Sequence, residues 1–135
     1  MFEPLRAGAE RWLVDACASG EYVGWLATPA PSTEVIAGAG VQLRRVPPHP
    51  MKISGQGVIG RGRHAIVINV FTEPAWRWGG VGEMLMREII EFARTERLDR
   101  LVLHASRSGR ALYERLGFVA TNEMRLVEDL SAPNE

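Results

Sequence analysis

The sequence predicts an α/β (α+β) chain in which a mixed, mostly antiparallel sheet carries helices on both faces. Three observations lead there. The run from Ala65 to Thr72 is almost continuously apolar (Ile66, Val67, Ile68, Val70, Phe71), broken only by Asn69; such a run marks a central strand covered on both sides. An amphipathic helix and a second short apolar strand come next, an order that makes adjacent parallel strands with a right-handed crossover. Two strand-like segments joined by a proline-rich turn come before it and read as a hairpin.

In chain order, Leu5 to Ser19 reads as a helix whose apolar stripe is Trp12, Leu13, Ala16 and Cys17, stopped by Gly20. Cys17 is expected inside the core. Glu21 to Thr28 is a strand, Pro29, Pro31 and Ser32 make a turn, and Val35 to Leu43 is a second strand thinned by Gly38 and Gly40. Pro47, Pro48 and Pro50 exclude a helix or a central strand at that point. Ser54 to Arg63, with glycines at 55, 57, 60 and 62, reads as a flexible loop, either a linker or a lid over substrate. Gly80 to Arg94 is the clearest helix, with Val81, Leu85, Ile89 and Phe92 on one side. Leu101 to Leu103 is a buried strand, Gly109 to Leu116 a short helix ended by Gly117, and Phe118 to Leu126 a last strand.

At 135 residues, 46% hydrophobic and 24% charged, the chain is ordinary globular material and residues 1–135 are expected to form one domain. Basic and acidic residues number 16 each, which argues against a nucleic-acid partner. The single cysteine excludes an intrachain disulfide or a thiolate cluster. No run of 18 apolar residues suggests a membrane partner, and no signal segment is visible, so a cytoplasmic, soluble protein is expected. His49, His64 and His104 show no ligand spacing, so no metal is expected.

The chemistry is expected between the central strand and the long helix, at Glu73-Pro74-Ala75-Trp76-Arg77-Trp78-Gly79-Gly80-Val81-Gly82. Glycines at a helix start serve either close packing or the approach of an anion to bare N–H groups. The helix dipole and Arg77 would favour the anion, and a diphosphate fits. No Lys-Ser or Lys-Thr comes after the glycines, so this is not a P-loop, and the dinucleotide pattern fails as well. Coenzyme A remains.

Arg77, Gly80 and Gly82, together with Leu112-Tyr113 and Gly117-Phe118, resemble the cofactor motif and the short-helix element of the GCN5-related N-acetyltransferase (GNAT) family. The resemblance spans about residues 64–126. It implies a central parallel strand pair splayed for acyl-CoA, with the family's N-terminal strand missing from this chain. It implies acetyl-CoA as cofactor, an amine acceptor that is a small molecule or a peptide, and possible homodimers. It implies pantetheine against the backbone of Val70, Phe71 and Thr72, and the diphosphate wrapped by Arg77, Trp78, Gly79, Gly80, Val81 and Gly82. Tyr113 is then the proton donor to the leaving thiolate. Its alternative is a core aromatic beside Leu112 and Phe118.

Amide formation also needs an amine stripped of its proton and a stabilised oxyanion. Glu73, at the strand end, and Asn69, a polar residue in an apolar strand, are the further catalytic candidates, and His104 could relay a proton. Ser106 stands beside the cofactor arm where the family often has asparagine, and Gly109 where it often has alanine. Pro47 to Pro50, the loop to Arg63, and Thr121 to Glu123 are candidates for the acceptor wall. Trp25, Trp76 and Trp78 offer apolar surface for the acceptor or for a second copy.

Overall fold

The computed structural model describes residues 2–53, 55–131 and 133. The chain divides into two compact units, residues 1–104 and 105–135.

The first unit opens with helix α1 (Phe2–Ser19). Gly20 ends it by taking a φ of 78°, and its N–H donates to the Cys17 carbonyl at 3.2 Å. Ala16 is buried and Leu13 half-buried, three residues apart on one face, whereas Cys17 is exposed. The expectation of a core cysteine fails because the buried stripe is narrower than the apolar letters suggest.

Strands β1 (Tyr22–Ala27) and β2 (Ala37–Arg45) form the expected antiparallel hairpin. Strands β3 (Pro50–Ile53) and β4 (Gln56–Ile59) pair only with each other. Strand β5 (Arg63–Thr72) pairs antiparallel with β2 on one side. Helix α2 (Val81–Thr95) leads to β6 (Arg100–Val102), which pairs parallel with β5. The main sheet therefore runs β1-β2-β5-β6, the mixed arrangement the sequence implies.

Both faces of that sheet are covered. Tyr22 and Trp25 lie three apart on β1 and point to opposite sides. Tyr22 meets Trp12 of α1 edge-on at 6.0 Å, and Trp25 meets Phe92 of α2 at 5.3 Å. The glycines of β2 make room for aromatic rings. A Cβ on Gly40 would collide with the Tyr22 ring, and one on Gly38 would press the Phe71 ring. Ala37, Ala39, Val41, Ala65 and Val67 build the sheet's share of the core against Leu85, Met86 and Ile89 of α2.

Of the expected flexible loop Ser54 to Arg63, Ser54 lies outside the described residues, and residues 55–63 are not a loop throughout. Residues 56–59 are strand β4, and Gly55 takes a φ of 81° at the turn. The Ser-Gly step between Ile53 and Val58 is a hairpin signal that the abundance of glycine obscures. Gly60 and Gly62 are buried. Gly62 has a φ of 84° and lies so close to the Val46 carbonyl that a Cβ would collide with it. Asp99 clips this connection by accepting the N–H groups of Arg61 (3.0 Å), Gly62 (2.6 Å) and Arg63 (3.2 Å). Those amides, that of Arg61 first, hold its carboxyl below the usual carboxylate range.

The same corner brings two histidines together. The rings of His49 and His64 lie 5.3 Å apart, edge to face. Both Nε2 atoms are buried without a hydrogen-bond partner among the described residues. His64 is pushed below its usual 6.5, first by desolvation, then by Arg100, His49 and Arg44, with Asp99 opposing. The folded state therefore binds a proton at His64 less readily than the unfolded chain. Its contribution to stability is full above 6.5 and is lost as pH falls through the depressed folded value. Urea midpoints measured from pH 8 to pH 5 should fall below pH 6.5, and His64→Gln should flatten that fall; an unchanged profile in the variant would remove His64 as its source.

In the second unit, helix α3 (Arg110–Arg115) ends at Gly117, with a φ of 103°. The expected last strand is absent. Residues 118–130 have no regular strand, and Val119, Met124, Leu126 and Val127 are exposed. The segment Phe118 to Leu126 finds no ladder partner among the described residues.

Candidate functional site

The site begins with an irregularity in β5. Gly38 faces Phe71 and Gly40 faces Ile68, so Asn69 and Val70 together oppose the single residue Ala39. This is a β-bulge, which bends the strand and re-aims the residues beyond it. Asn69 takes a φ of 57° there. Asparagine is among the few residues that accept the left-handed region at small cost. The polar interruption of the apolar run therefore has a backbone reason, and the Asn69 side chain is exposed rather than buried.

On its other side β5 loses its neighbour. The parallel register covers His64 with Arg100, Ala65 with Leu101 and Ile66 with Val102, and β6 ends there. From Val67 to Thr72 the backbone of β5 has no strand on that edge among the described residues. Val70 and Phe71, in the part of β5 beyond β6, are 41% and 45% exposed.

Next comes a rigid corner. The Glu73 N–H donates to the Ile36 carbonyl at 2.8 Å, which ties the end of β5 to the chain entering β2. Pro74–Trp76 forms one 3-10 turn with proline at its start. Arg77 is exposed, and its Nε donates to the Thr72 carbonyl at 3.2 Å. That bond leaves the Nη side of the guanidinium for another acceptor and fixes the direction from which it approaches.

Helix α2 then opens at Gly80, its N-cap, in the left-handed conformation with a φ of 83°. The first intrahelical bond runs from the Met84 N–H to the Gly80 carbonyl at 3.1 Å. The amides before Met84 in the helix have no intrahelical acceptor, and glycine has no side chain to cap them. A Cβ built on Gly80 meets nothing within 4 Å, and one on Gly79 meets only the Trp76 carbonyl at 3.5 Å. Close packing within the described chain is thus not the reason for Gly80. It serves the φ angle and leaves space at the mouth of the helix. Glu83, in the first turn, pairs with Arg87 at 3.8 Å.

One unbranched stretch of the first unit thus holds Asn69, Val70, Phe71, Thr72, Glu73, Arg77, Trp78, Gly79, Gly80, Val81 and Gly82. Physically it is an exposed strand edge leading to an electropositive helix opening. Such an edge suits an extended ligand that can hydrogen-bond to backbone, and such an opening suits its phosphates. The sequence did not reveal Ile36 as the anchor of the corner. No local pattern marks a carbonyl that receives its partner from 37 positions away.

A cavity of about 270 Å³ lies elsewhere, at the start of β5, lined in part by Glu21, Arg44, Arg45, Arg63 and His64. Its charges are partly engaged already: Arg63 bonds the Glu96 carbonyl (2.7 Å) and carboxylate (3.3 Å), and Glu21 accepts from Gln42 (3.2 Å).

Tyr113 and Ser106 belong to the second unit. The Tyr113 ring is half-buried, edge-on to Phe118 at 6.0 Å, and burial raises its hydroxyl pKa above 10.0. The phenol therefore stays protonated at neutral pH, as a proton donor must. Its ring lies along Gly109, where a Cβ would come within 2.9 Å of the ring edge. Glycine at 109 thus has a physical reason, since alanine would push the tyrosine. The Ser106 hydroxyl accepts the Gly109 N–H at 3.2 Å and lies 3.3 Å from the Ser108 hydroxyl. Among the described residues no three His, Cys, Asp or Glu side chains gather as a metal would need, and no helix is long and apolar enough to cross a membrane.

Comparison with known proteins identifies the family and the fold. The model of a family described as acetyltransferase (GNAT) matches residues 1–118. A GCN5-related N-acetyltransferase from Ralstonia eutropha JMP134 superposes with a TM-score of 0.79 at 25% identity, over 96% of this chain and 78% of that one. A predicted acetyltransferase with acetyl-CoA from Clostridium acetobutylicum superposes at 0.73 and 24%, over 92% and 75%. The aminoglycoside antibiotic 6'-N-acetyltransferase of Acinetobacter haemolyticus shares the fold at 0.67 and 18%, over 91% and 80%. No curated protein is significantly similar in sequence.

Proposed function

The chain belongs to the acetyltransferase (GNAT) family, and from that premise we propose that it transfers an acetyl group from acetyl-CoA to a primary amine by direct attack, with residues 1–135 acting as one catalytic domain. The observation that carries the proposal is the unpaired edge of β5 running into the uncapped, glycine-lined opening of α2. An acyl-CoA has the matching chemistry, an amide-bearing pantetheine arm joined to a diphosphate.

In this reading the backbone of Val70, Phe71 and Thr72 binds the pantetheine arm. The amides from Trp78 to Gly82 hold the diphosphate, and Arg77 adds a charge-assisted bond. When bound, acetyl-CoA supplies the activated thioester. The amine nitrogen forms a bond to the carbonyl carbon, the C–S bond breaks, and the sulfur leaves as thiolate. A backbone N–H near Val70 or Phe71 stabilises the oxygen as it gains charge, and Tyr113 gives its proton to the thiolate. The amine's proton goes to Glu73 or to a water it orients. Asn69 serves by presenting the bulge and by hydrogen-bonding the acceptor. Ser106, whose hydroxyl accepts the Gly109 N–H, is the further cofactor-binding residue of this reading. The acceptor is a small-molecule or peptide amine, and the protein acts as a soluble, cytoplasmic enzyme, alone or as a homodimer.

Thiol release from acetyl-CoA across a panel of amines, with mass detection of the acylated product, tests the reaction. Acetyl-CoA binding without transfer to any amine would point instead to a non-catalytic acyl-CoA-binding module. Arg77→Ala should weaken coenzyme A binding about tenfold, the effect of one charge-assisted hydrogen bond, with the thermal midpoint little changed. Calorimetry reads both, and an unchanged affinity would remove Arg77 from the diphosphate.

A further inference from the structure

Trp78 carries two costs that the folded chain does not repay. It is 96% exposed, so its indole gains nothing from burial. It also takes a φ of 69°, in the left-handed region where a bulky residue is an outlier. Gly79 and Gly80 come directly after it, so residues suited to that conformation stand beside it. Trp76, two residues earlier, is 43% exposed and sits in the 3-10 turn. A strained, solvated tryptophan between Arg77 and the N-cap of α2 is explained by something that binds there.

The surroundings limit what that is. The helix opening and Arg77 attract anions, while an indole face attracts flat, polarisable rings. A ligand with both features is a nucleotide, phosphates on the amides and base on the indole. We propose that Trp78 is the stacking platform for the adenine of the acyl-CoA, making it the residue by which the site distinguishes the full nucleotide carrier from the bare phosphopantetheine arm. This rests on the acetyl-CoA reading above and assigns the nucleotide end of the same site. Trp78 sits two residues before the N-cap, so its side chain starts within a nucleoside's reach of a diphosphate held at the opening. A rigid, exposed ring also loses little freedom on binding, which favours stacking over a flexible side chain.

The test compares coenzyme A with 4'-phosphopantetheine, which lacks the adenosine together with its 3'-phosphate and one phosphate of the diphosphate, by calorimetry on the full chain; the loss specific to Trp78 is read from each variant against the wild type for the same ligand. Trp78→Ala should weaken coenzyme A about tenfold, the usual effect of removing one stacking aromatic, and leave 4'-phosphopantetheine unchanged. Trp78→Phe should keep most of the affinity. Trp78→Gly should lose affinity in the same way while its thermal midpoint does not fall, because glycine accepts the left-handed φ; a tryptophan that served packing would lower the midpoint when removed. Coenzyme A carrying ethenoadenine should lose base fluorescence on binding the wild type and regain it in Trp78→Ala. Equal losses for both ligands, or no loss for either, would overturn the stacking role. A change in sedimentation without ligand-selective loss would also overturn it, in favour of a contact between copies. Failure of the wild-type chain to bind coenzyme A at all would overturn the acetyl-CoA reading itself, a result distinct from unselective binding.

Discussion

Gly80→Val is expected to reduce coenzyme A affinity by at least about a hundredfold, the loss of two or more charge-assisted hydrogen bonds. The space beside Gly80 is open, with no atom within 4 Å of a Cβ built there, so the valine methyls would stand where the diphosphate is expected. The substitution has a second consequence. A β-branched residue is strained at a φ of 83°, by about 1–2 kcal/mol, so the start of α2 could shift. Gly80→Asn separates the two effects, because asparagine tolerates the left-handed region and still projects a side chain into the opening. It should unfold near the wild-type temperature and bind coenzyme A weakly. Normal binding by Gly80→Asn would mean that the diphosphate does not approach the helix opening from that side.

Tyr113→Phe should lower kcat about a hundredfold, within the usual range for a lost general acid, with coenzyme A affinity unchanged. The ring contact with Phe118 and the fit against Gly109 involve carbon atoms, so phenylalanine keeps the packing and removes only the hydroxyl. Burial raises the hydroxyl pKa above 10.0. The neutral phenol then persists to higher pH than for a free tyrosine, and the alkaline loss of kcat in the wild type should lie above pH 10. Steady-state rates from pH 7 to 10.5, with product detected by mass, check both points. A variant as fast as the wild type would leave Tyr113 as a core aromatic, the alternative already present in its sequence neighbours Leu112 and Phe118.

The local sequence determined what depends on neighbours a few residues apart. The apolar run at 65–72, the periodic helix at 81–95 and the hairpin before them needed only alternation and helical spacing. Arg77, Gly80 and Gly82 suggested a helix start suited to an anion because glycine and arginine carry their chemistry in any context. Pairing was less legible. The glycine-rich residues 56–59, which read as loop, form β4, while 118–126, which read as a strand, is irregular, since a strand exists only where a ladder partner stands beside it. Cys17 illustrates the same limit at a helix, where only the packed sheet selects Leu13 and Ala16 for burial over their apolar neighbour.

Tertiary structure alone decided the reasons behind individual residues. Asn69 reads from sequence as a polar catalytic candidate in an apolar strand, and the register between β2 and β5 makes it the left-handed residue of a bulge. Gly38 and Gly40 read as weak points and are the spaces that the rings of Phe71 and Tyr22 fill. Asp99 and Ile36 carry no sequence signal, yet one clips the entry to β5 and the other anchors its exit. Local letters thus mark the strongly periodic elements and a helix start suited to an anion. Contacts between residues distant in the chain fix the register, and the register opens the edge of β5 beside the helix mouth.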